Sequence, residues 1–224
     1  MRRALIVVGK APIPGLTKTR LVPPLSSEDA AALASAFLHD TLATALRLGW
    51  ERTTLVHPRG HALLLEGLLA PEVHLLEQPR DGLGEALAYA FERHFAFGFN
   101  SVTLIGSDNP TLPGAPIQAA ADALRADDDV AIGPTSDGGY YLIGMRQAHP
   151  GLFERIDWST SRVYAQTLER ADELGLRVHR MGEWYDIDEP SDLSRLEREL
   201  ATSPIRVAPM TRRALEAMRA ARTR

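Results

Sequence analysis

Short apolar runs alternate with longer amphipathic stretches along most of the chain, and that alternation admits few folds. The apolar runs cover residues 4–8, 53–57, 73–77, 101–106, 130–133 and 176–180, several of them bounded by Gly, Pro or Asp. Each reads as a strand. The stretches between them, residues 26–48, 60–69, 84–97, 115–126, 161–174 and 190–200, read as helices. Ser26, with Asp29 three residues later, gives the first of these an N-cap signature. Such alternation packs as a mostly parallel sheet with helices on both faces, a three-layer α/β/α Rossmann-like sandwich. One further run, Tyr140-Tyr-Leu-Ile-Gly144, follows residues 130–133 too closely for a helical crossover. It must pair antiparallel, which makes the sheet mixed. The 224 residues suit one such domain, expected over residues 1–203.

Residues 204–224 form a separate tail. Pro209 opens a short helix carrying Arg212, Arg213, Arg219, Arg222 and Arg224 against the single acid Glu216, with Leu215 and Met218 on one face. This is the pattern of a basic amphipathic helix lying on the domain, or on a second copy of the chain in a homodimer.

Open α/β sheets bind ligands at the carboxyl ends of their strands. The first strand ends in Lys10-Ala-Pro-Ile-Pro-Gly-Leu-Thr-Lys-Thr-Arg-Leu21, a loop with three cations, Lys10, Lys18 and Arg20. A basic loop before a helix start suits an anionic phosphate; the alternative is a solvated surface loop. It is not a P-loop, because Gly15 precedes Leu16 rather than Lys, and Pro12 and Pro14 each remove an amide donor. The net charge of −4 argues against nucleic-acid binding through bulk charge. With no cysteine, disulfides, thiolate nucleophiles and cysteine zinc sites are excluded. No segment is long or apolar enough to span a membrane, and the apolar run before Lys10 is too short for a signal peptide. The expected location is cytoplasmic.

Two acidic sites face that loop in the expected topology. The strand 101–106 runs into Asp108, which either caps a turn or points into the ligand edge. In Trp184-Tyr-Asp-Ile-Asp-Glu-Pro-Ser-Asp192, Asp186 and Asp188 alternate across Ile187 and so face the same side of an extended segment. Pro190 then starts a helix, with Asp188 or Glu189 available as cap. Hard carboxylates from separate strand ends suit Mg²⁺ or Mn²⁺ when phosphate and water fill the other positions. Metal ligation is therefore expected from Asp108 together with the Asp186 and Asp188 segment.

In Gly133-Pro-Thr-Ser-Asp-Gly-Gly-Tyr-Tyr-Leu-Ile-Gly144, the pair Gly138 and Gly139 allows close approach to a ligand, or simply a hairpin turn. Asp137 is the candidate to orient or deprotonate an acceptor. Asp81-Gly-Leu-Gly-Glu-Ala86 is another glycine-bearing loop. Trp158, Ser159 and Thr160 could lid a pocket, or Ser159 or Thr160 could cap the next helix. None of the seven histidines forms a metal pair at helical spacing; His57 and His61 flank a turn and read as solvated.

Taken in order, Lys10-Ala-Pro…Gly15…Lys18-Thr-Arg-Leu21, Gly106-Ser-Asp-Asn-Pro-Thr-Leu112, Gly133-Pro…Asp137-Gly-Gly-Tyr-Tyr-Leu-Ile-Gly144, Trp158-Ser-Thr160 and Asp186-Ile-Asp-Glu-Pro-Ser-Asp-Leu193 carry a resemblance. From about residue 4 to 200 the chain resembles the DUF2064 family of the nucleotide-diphospho-sugar transferase superfamily, glycosyltransferases of the A-type fold associated with radical-SAM and arsenosugar clusters. The resemblance implies a nucleotide or nucleotide-sugar donor met by Lys10, Gly15, Lys18, Thr19, Arg20 and Gly84, the last beside the nucleobase. It implies Asp108 and Asp188 as the metal ligands, Lys18 and Arg20 as catalytic groups on the phosphate, and a small-molecule acceptor met by Asn109, Gly138, Gly139, Tyr140, Trp158, Ser159, Thr160 and Asp186, beside the catalytic candidate Asp137. It departs from relatives in two motifs: Gly106-Ser-Asp-Asn109 is not Asp-x-Asp, and the first loop lacks Gly-x-Gly-Thr-Arg. Glycosyl transfer is what the family implies, whereas the cation-rich loop suits nucleotidylyl transfer with pyrophosphate release. A non-catalytic nucleotide-binding module is the reading from another class.

Overall fold

A computed structural model describes residues 2–80 and 82–222, so Asp81 of the glycine-bearing loop and Arg224 of the tail lie outside the described residues. The strands β1 (Arg3–Val8), β2 (Arg52–His57), β3 (Val73–Glu77), β4 (Ser101–Gly106), β5 (Val130–Pro134), β6 (Tyr140–Met145) and β7 (Val178–Arg180) form one sheet in the order β3-β2-β1-β4-β6-β5-β7. β1, β2, β3 and β4 run parallel. β6 pairs antiparallel with both β4 and β5, and β5 pairs parallel with β7. The short link from β5 to β6 leaves only a hairpin, so β6 is reversed, as its spacing requires. This is the mixed α/β sandwich expected from the alternation.

The helices are α1 (Ser27–Arg47), α2 (Ala62–Glu66), α3 (Leu83–Ala96), α4 (Gly114–Ala126), α5 (Val163–Glu173), α6 (Pro190–Thr202) and α7 (Pro209–Arg222). Side chains of β1 alternate between two cores. Leu5 and Val7 join Leu38 and Leu42 of α1 and Ile117 of α4 on one face. Ile6 joins Leu87 and Phe91 of α3 and Ala171 of α5 on the other. The Ser26 side chain accepts from the Asp29 amide, closing the α1 N-terminus as its sequence signature requires. The helix expected over residues 60–69 contracts to α2, with Leu63 and Leu64 left exposed.

A third core lies beneath the loop side of the sheet. It joins Leu33 and Phe37 of α1, Tyr185 and Ile187, Leu196 and Leu200 of α6, and Leu215 and Met218 of α7. The tail helix therefore lies on the domain. Its N-terminus is capped from α1: buried Asp40 accepts from the Met210 amide at 3.1 Å, the Thr211 amide at 2.8 Å and the Thr211 hydroxyl at 2.7 Å. Arg212 spends its guanidinium on the carbonyls of Leu200, Ser203 and Val207, so part of the basic face is structural. Among the described residues, no helix is long and apolar enough to cross a membrane.

Candidate active site

The residues carrying the site come from three chain segments that meet at the carboxyl ends of β1 and β4, where the strand order reverses direction. The 184–188 segment is held there by backbone bonds. The Trp184 amide donates to the Pro134 carbonyl at 3.0 Å and the Ile187 amide to the Asp108 carbonyl at 3.0 Å. Ile187 is wholly buried, which turns Asp186 and Asp188 together toward Asp108. Neither acid caps α6: the Asp192 carboxylate accepts from the Asp188 and Glu189 amides instead. Asp108 is equally free of capping duty, because α4 starts six residues later, behind Pro113.

Lys18 joins these acids. Its Nζ lies 2.9 Å from Asp108 Oδ1 and 2.8 Å from Asp188 Oδ1, and donates to the Ile187 carbonyl at 2.6 Å. The Lys18 backbone is left-handed, with φ of 52°, which turns its side chain inward from the loop. Burial opposes its charge, but the Asp108 and Asp188 carboxylates outweigh that and hold its pKa above the ordinary lysine value. With only 5% of the side chain exposed and three acceptors engaged, Lys18 is an internal counter-ion, not a cation spread open to solvent. The Lys10 and Arg20 side chains stay on the exposed rim. Lys10 Nζ spends one proton on the Leu16 carbonyl at 3.2 Å, and Arg20 has no hydrogen-bond or ion-pair partner among the described residues. Gly15 turns the loop tip with φ of 77°, far from packed atoms.

Asp186 is pushed up to about 7, first by burial and then by the charges of Asp108 and Asp188, with Lys18 opposing. Asn109 donates to its Oδ1 at 2.5 Å. Three carboxylates thus surround one ammonium, an excess of negative charge that a divalent cation would relieve. Asp108 and Asp188 are hard oxygen donors, 44% and 39% exposed, and each engages Lys18 through a single oxygen. The donor set fits Mg²⁺ or Mn²⁺ with phosphate and water completing the shell, although no group of three or more metal-capable side chains occurs among the described residues.

The cleft above these groups has two lobes that share Arg20, Leu83, Ser159 and Asp188. The proximal lobe, about 560 Å³, lies at the ends of β1, β2 and β4 and is lined by Lys10, Thr19, Ser107 and Asp108 among others. The distal lobe, about 470 Å³, is lined by Asp137, Gly139, Tyr140, Trp158, Thr160 and Asp186 among others. Most residues singled out from the sequence therefore converge. Two glycines sit differently from their expected roles. A Cβ on Gly84 would lie 2.6 Å from the Trp158 indole nitrogen, so that glycine makes room for Trp158. Gly138, with φ of 89°, gives way to the Ser161 carbonyl, which a Cβ would meet at 2.1 Å. Thr160 accepts from the Arg162 amide at 3.3 Å, one turn before α5.

The histidine reading needs correction. His57 is 1% exposed with Nδ1 2.8 Å from the Pro58 carbonyl, and His61 Nδ1 accepts from the Ala11 amide at 3.0 Å. Neither is a free solvated side chain, because the β2–α2 turn folds back onto the first loop. Leu83, Ser107, Ser161 and Gln78 also line the cleft. Ser107 and Leu83 lie within Gly106-Ser-Asp-Asn-Pro-Thr-Leu112 and Asp81-Gly-Leu-Gly-Glu-Ala86, and Ser161 follows Trp158-Ser-Thr160, whereas no motif marks Gln78.

The family model DUF2064, an uncharacterized protein conserved in bacteria, matches residues 41–160. The chain belongs to the DUF2064 family. A crystal structure from Desulfovibrio desulfuricans G20, provisionally named a nucleotide-diphospho-sugar transferase, is 33% identical to this DUF2064 protein. The match covers 98% of this chain and 96% of that one, with a TM-score of 0.90. Two more distant structures share the fold. Rv0371c from Mycobacterium tuberculosis H37Rv, solved with manganese, is 18% identical over 88% of this chain and 98% of its own, with a TM-score of 0.52. The inositol-1-phosphate CTP transferase of T. maritima is 17% identical over 96% of each chain, with a TM-score of 0.54. None of the curated proteins matches.

Proposed function

We propose that this DUF2064 protein is a divalent-metal-dependent glycosyltransferase using a nucleotide-sugar donor and a small-molecule acceptor. The observation that carries the reading is the meeting of Asp108, Asp186, Asp188 and Lys18 at the floor of a cleft whose rim bears Arg20 and Lys10. The name given to the 33%-identical structure supports it. Asp108 and Asp188 would hold Mg²⁺ or Mn²⁺, and a manganese ion in a structure of the same fold agrees with that choice. Such an ion, when bound, supplies Lewis-acid charge to diphosphate oxygens.

The chain's own groups divide the remaining work. Lys18 holds the acid pair together and offsets its charge. Arg20 and Lys10 face the diphosphate and balance the negative charge that grows on the departing nucleoside diphosphate; a donor of this kind is typically worth about 2.7–4 kcal/mol in the transition state. Thr19, beside Arg20, lines the same phosphate wall. The acceptor enters through the distal lobe, where Asp137 orients its hydroxyl. Catalysis rests on positioning and electrostatics, without a covalent intermediate. A nucleotide-sugar donor and a cysteine-free chain suit a cytoplasmic location.

A second reading, nucleotidylyl transfer, is favoured by the two rim cations, which suit a triphosphate tail, and by the CTP-using neighbour. One titration series tests the shared core. Nucleoside di- and triphosphates added calorimetrically with Mn²⁺ should bind, Asp108→Ala should abolish the Mn²⁺-dependent part, and Arg20→Ala should weaken binding about tenfold. Absence of all nucleotide binding, or an Asp108→Ala protein indistinguishable from wild type, defeats the proposal. Release of pyrophosphate instead of a nucleoside diphosphate selects the second reading.

A further inference from the structure

The wall of the distal lobe is unlike a phosphate site. Among the described residues, Arg20 is the one cation lining it, and it stands at the mouth shared with the proximal lobe. Asp137, Asp186 and Asp188 face the same space. Asp137 is fixed there by two bonds to a single oxygen, from the Thr135 hydroxyl at 2.5 Å and the Gly139 amide at 3.0 Å, and its charge is felt at Asp186. At the neighbouring start of α5 three amides are already taken. The Arg162 amide donates to the Thr160 hydroxyl, Val163 to the Thr160 carbonyl and Tyr164 to the Gly138 carbonyl. A helix N-terminus attracts phosphate through such amides, and these three are spent. The rest of the wall is uncharged: the Trp158 and Tyr140 rings, Val163, and the Ser159, Thr160 and Ser161 side chains.

We propose that the distal lobe is a subsite for an uncharged polyhydroxylated acceptor, a sugar or polyol, and that it rejects the phosphorylated form of the same compound. The inference rests on the glycosyl-transfer reading above and names its acceptor class. Carboxylates are acceptor-only groups that take hydrogen bonds from ring hydroxyls. An aromatic side chain beside them offers an apolar surface to a ring face. A volume of about 470 Å³ falls within the usual range for small-molecule sites. With Asp188 engaged by the metal, a phosphomonoester in this lobe would meet Asp137 and Asp186 against a single arginine, and like charges brought together in an interface cost several kcal/mol. The charge pattern thus separates the two lobes: the proximal wall receives anions and the distal wall excludes them.

The test is saturation-transfer NMR on the full chain loaded with Mg²⁺ and the tightest-binding nucleoside diphosphate. The probes are D-glucose, D-mannose, D-ribose and myo-inositol, each beside its own monophosphate. At least one neutral compound is expected to bind, with its monophosphate weaker by about tenfold or more. Asp137→Asn keeps the Oδ1 that accepts the turn's two hydrogen bonds but removes the charge, and should narrow that gap several-fold, with thermal unfolding checking that the variant is folded. A monophosphate that binds better than its parent, an unchanged gap in Asp137→Asn, or no binding by any neutral compound would overturn the proposal. If no nucleoside diphosphate binds at all, the donor-site reading fails instead. The same panel on nucleotide-free protein then still decides the distal lobe.

Discussion

The proximal and distal lobes share four wall residues, yet they are made from different kinds of backbone. The proximal lobe lies where β1, β2 and β4 all end in one direction, so their loops emerge together and the chain can gather Lys10, Lys18 and Arg20 at one edge. The distal lobe is built on the β5–β6 hairpin and the segment entering α5, where the Gly138, Gly139, Arg162, Val163 and Tyr164 amides bond within those two segments. Parallel strand ends leave loops open to a ligand; an antiparallel turn pairs its own groups and presents side chains instead. Asp188 stands on the partition between the lobes with Asp186 beside it on the distal side, and Lys18 offsets their charge.

If the partition carries more negative charge than Lys18 offsets, Asp186→Asn should show the largest effect. Because its folded pKa lies near 7, above the ordinary aspartate value of 3.8, the folded protein holds a proton that the unfolded chain gives up between these values. The cost of Asp186 is therefore absent below about pH 4, grows as pH rises, and is complete above about pH 7. Urea unfolding in EDTA should find the Asn variant more stable by about 3 kcal/mol at pH 8 and nearly equal to wild type at pH 4. A difference that does not change with pH would mean the acids are not coupled.

Lys18→Met sharpens the same comparison from the other side. Removing the internal cation leaves Asp108 and Asp188 facing each other, at a cost of about 2 kcal/mol after allowing for their partial exposure. Mn²⁺ should then raise the melting temperature more in the variant than in wild type, since ion and ammonium compete for the same carboxylates. An equal or smaller Mn²⁺ shift would place the ion elsewhere.

The smallest effect belongs to the rim of the proximal lobe. Burial, followed by the charges of His57 and Lys10, lowers the pKa of His61, whose neutral Nδ1 accepts from the Ala11 amide. That contribution is present above about pH 6.5, the ordinary histidine value, and is lost as the pH falls through the lowered folded value. His61→Ala should cost about 1 kcal/mol at pH 8 and less at pH 5. Hydrogen exchange of the Ala11 amide should quicken in step, and unchanged exchange would show that the bond does not hold the loop.

Much of the fold could be read from local pattern. The runs 73–77 and 101–106 are strands to the residue, and the reversed strand beginning at Tyr140 followed from the shortness of its connection. Ser26 and Pro190 fixed helix starts through local chemistry. The site was legible as a set of members, because Asp108, Asp188, Lys18 and Arg20 each follow a strand or precede a helix at the ligand edge. Their working relations were not. Nothing near Lys18 in the chain indicates that its ammonium turns inward to a carboxylate 170 residues away, and nothing near Gly84 shows that Trp158 is what needs the missing side chain. His61 reads as solvated in the sequence because its partner, the Ala11 amide, comes from another loop.

Periodicity, turn residues and caps act over a few neighbouring residues, so the sequence alone determined the strands, the helices, the mixed sheet and which loops reach its ligand edge. Burial and charge pairing act through space. Only the tertiary structure could decide that Lys18 is spent on the acids, that Arg20 is left facing the cleft, and that one wall of that cleft is basic and the other acidic.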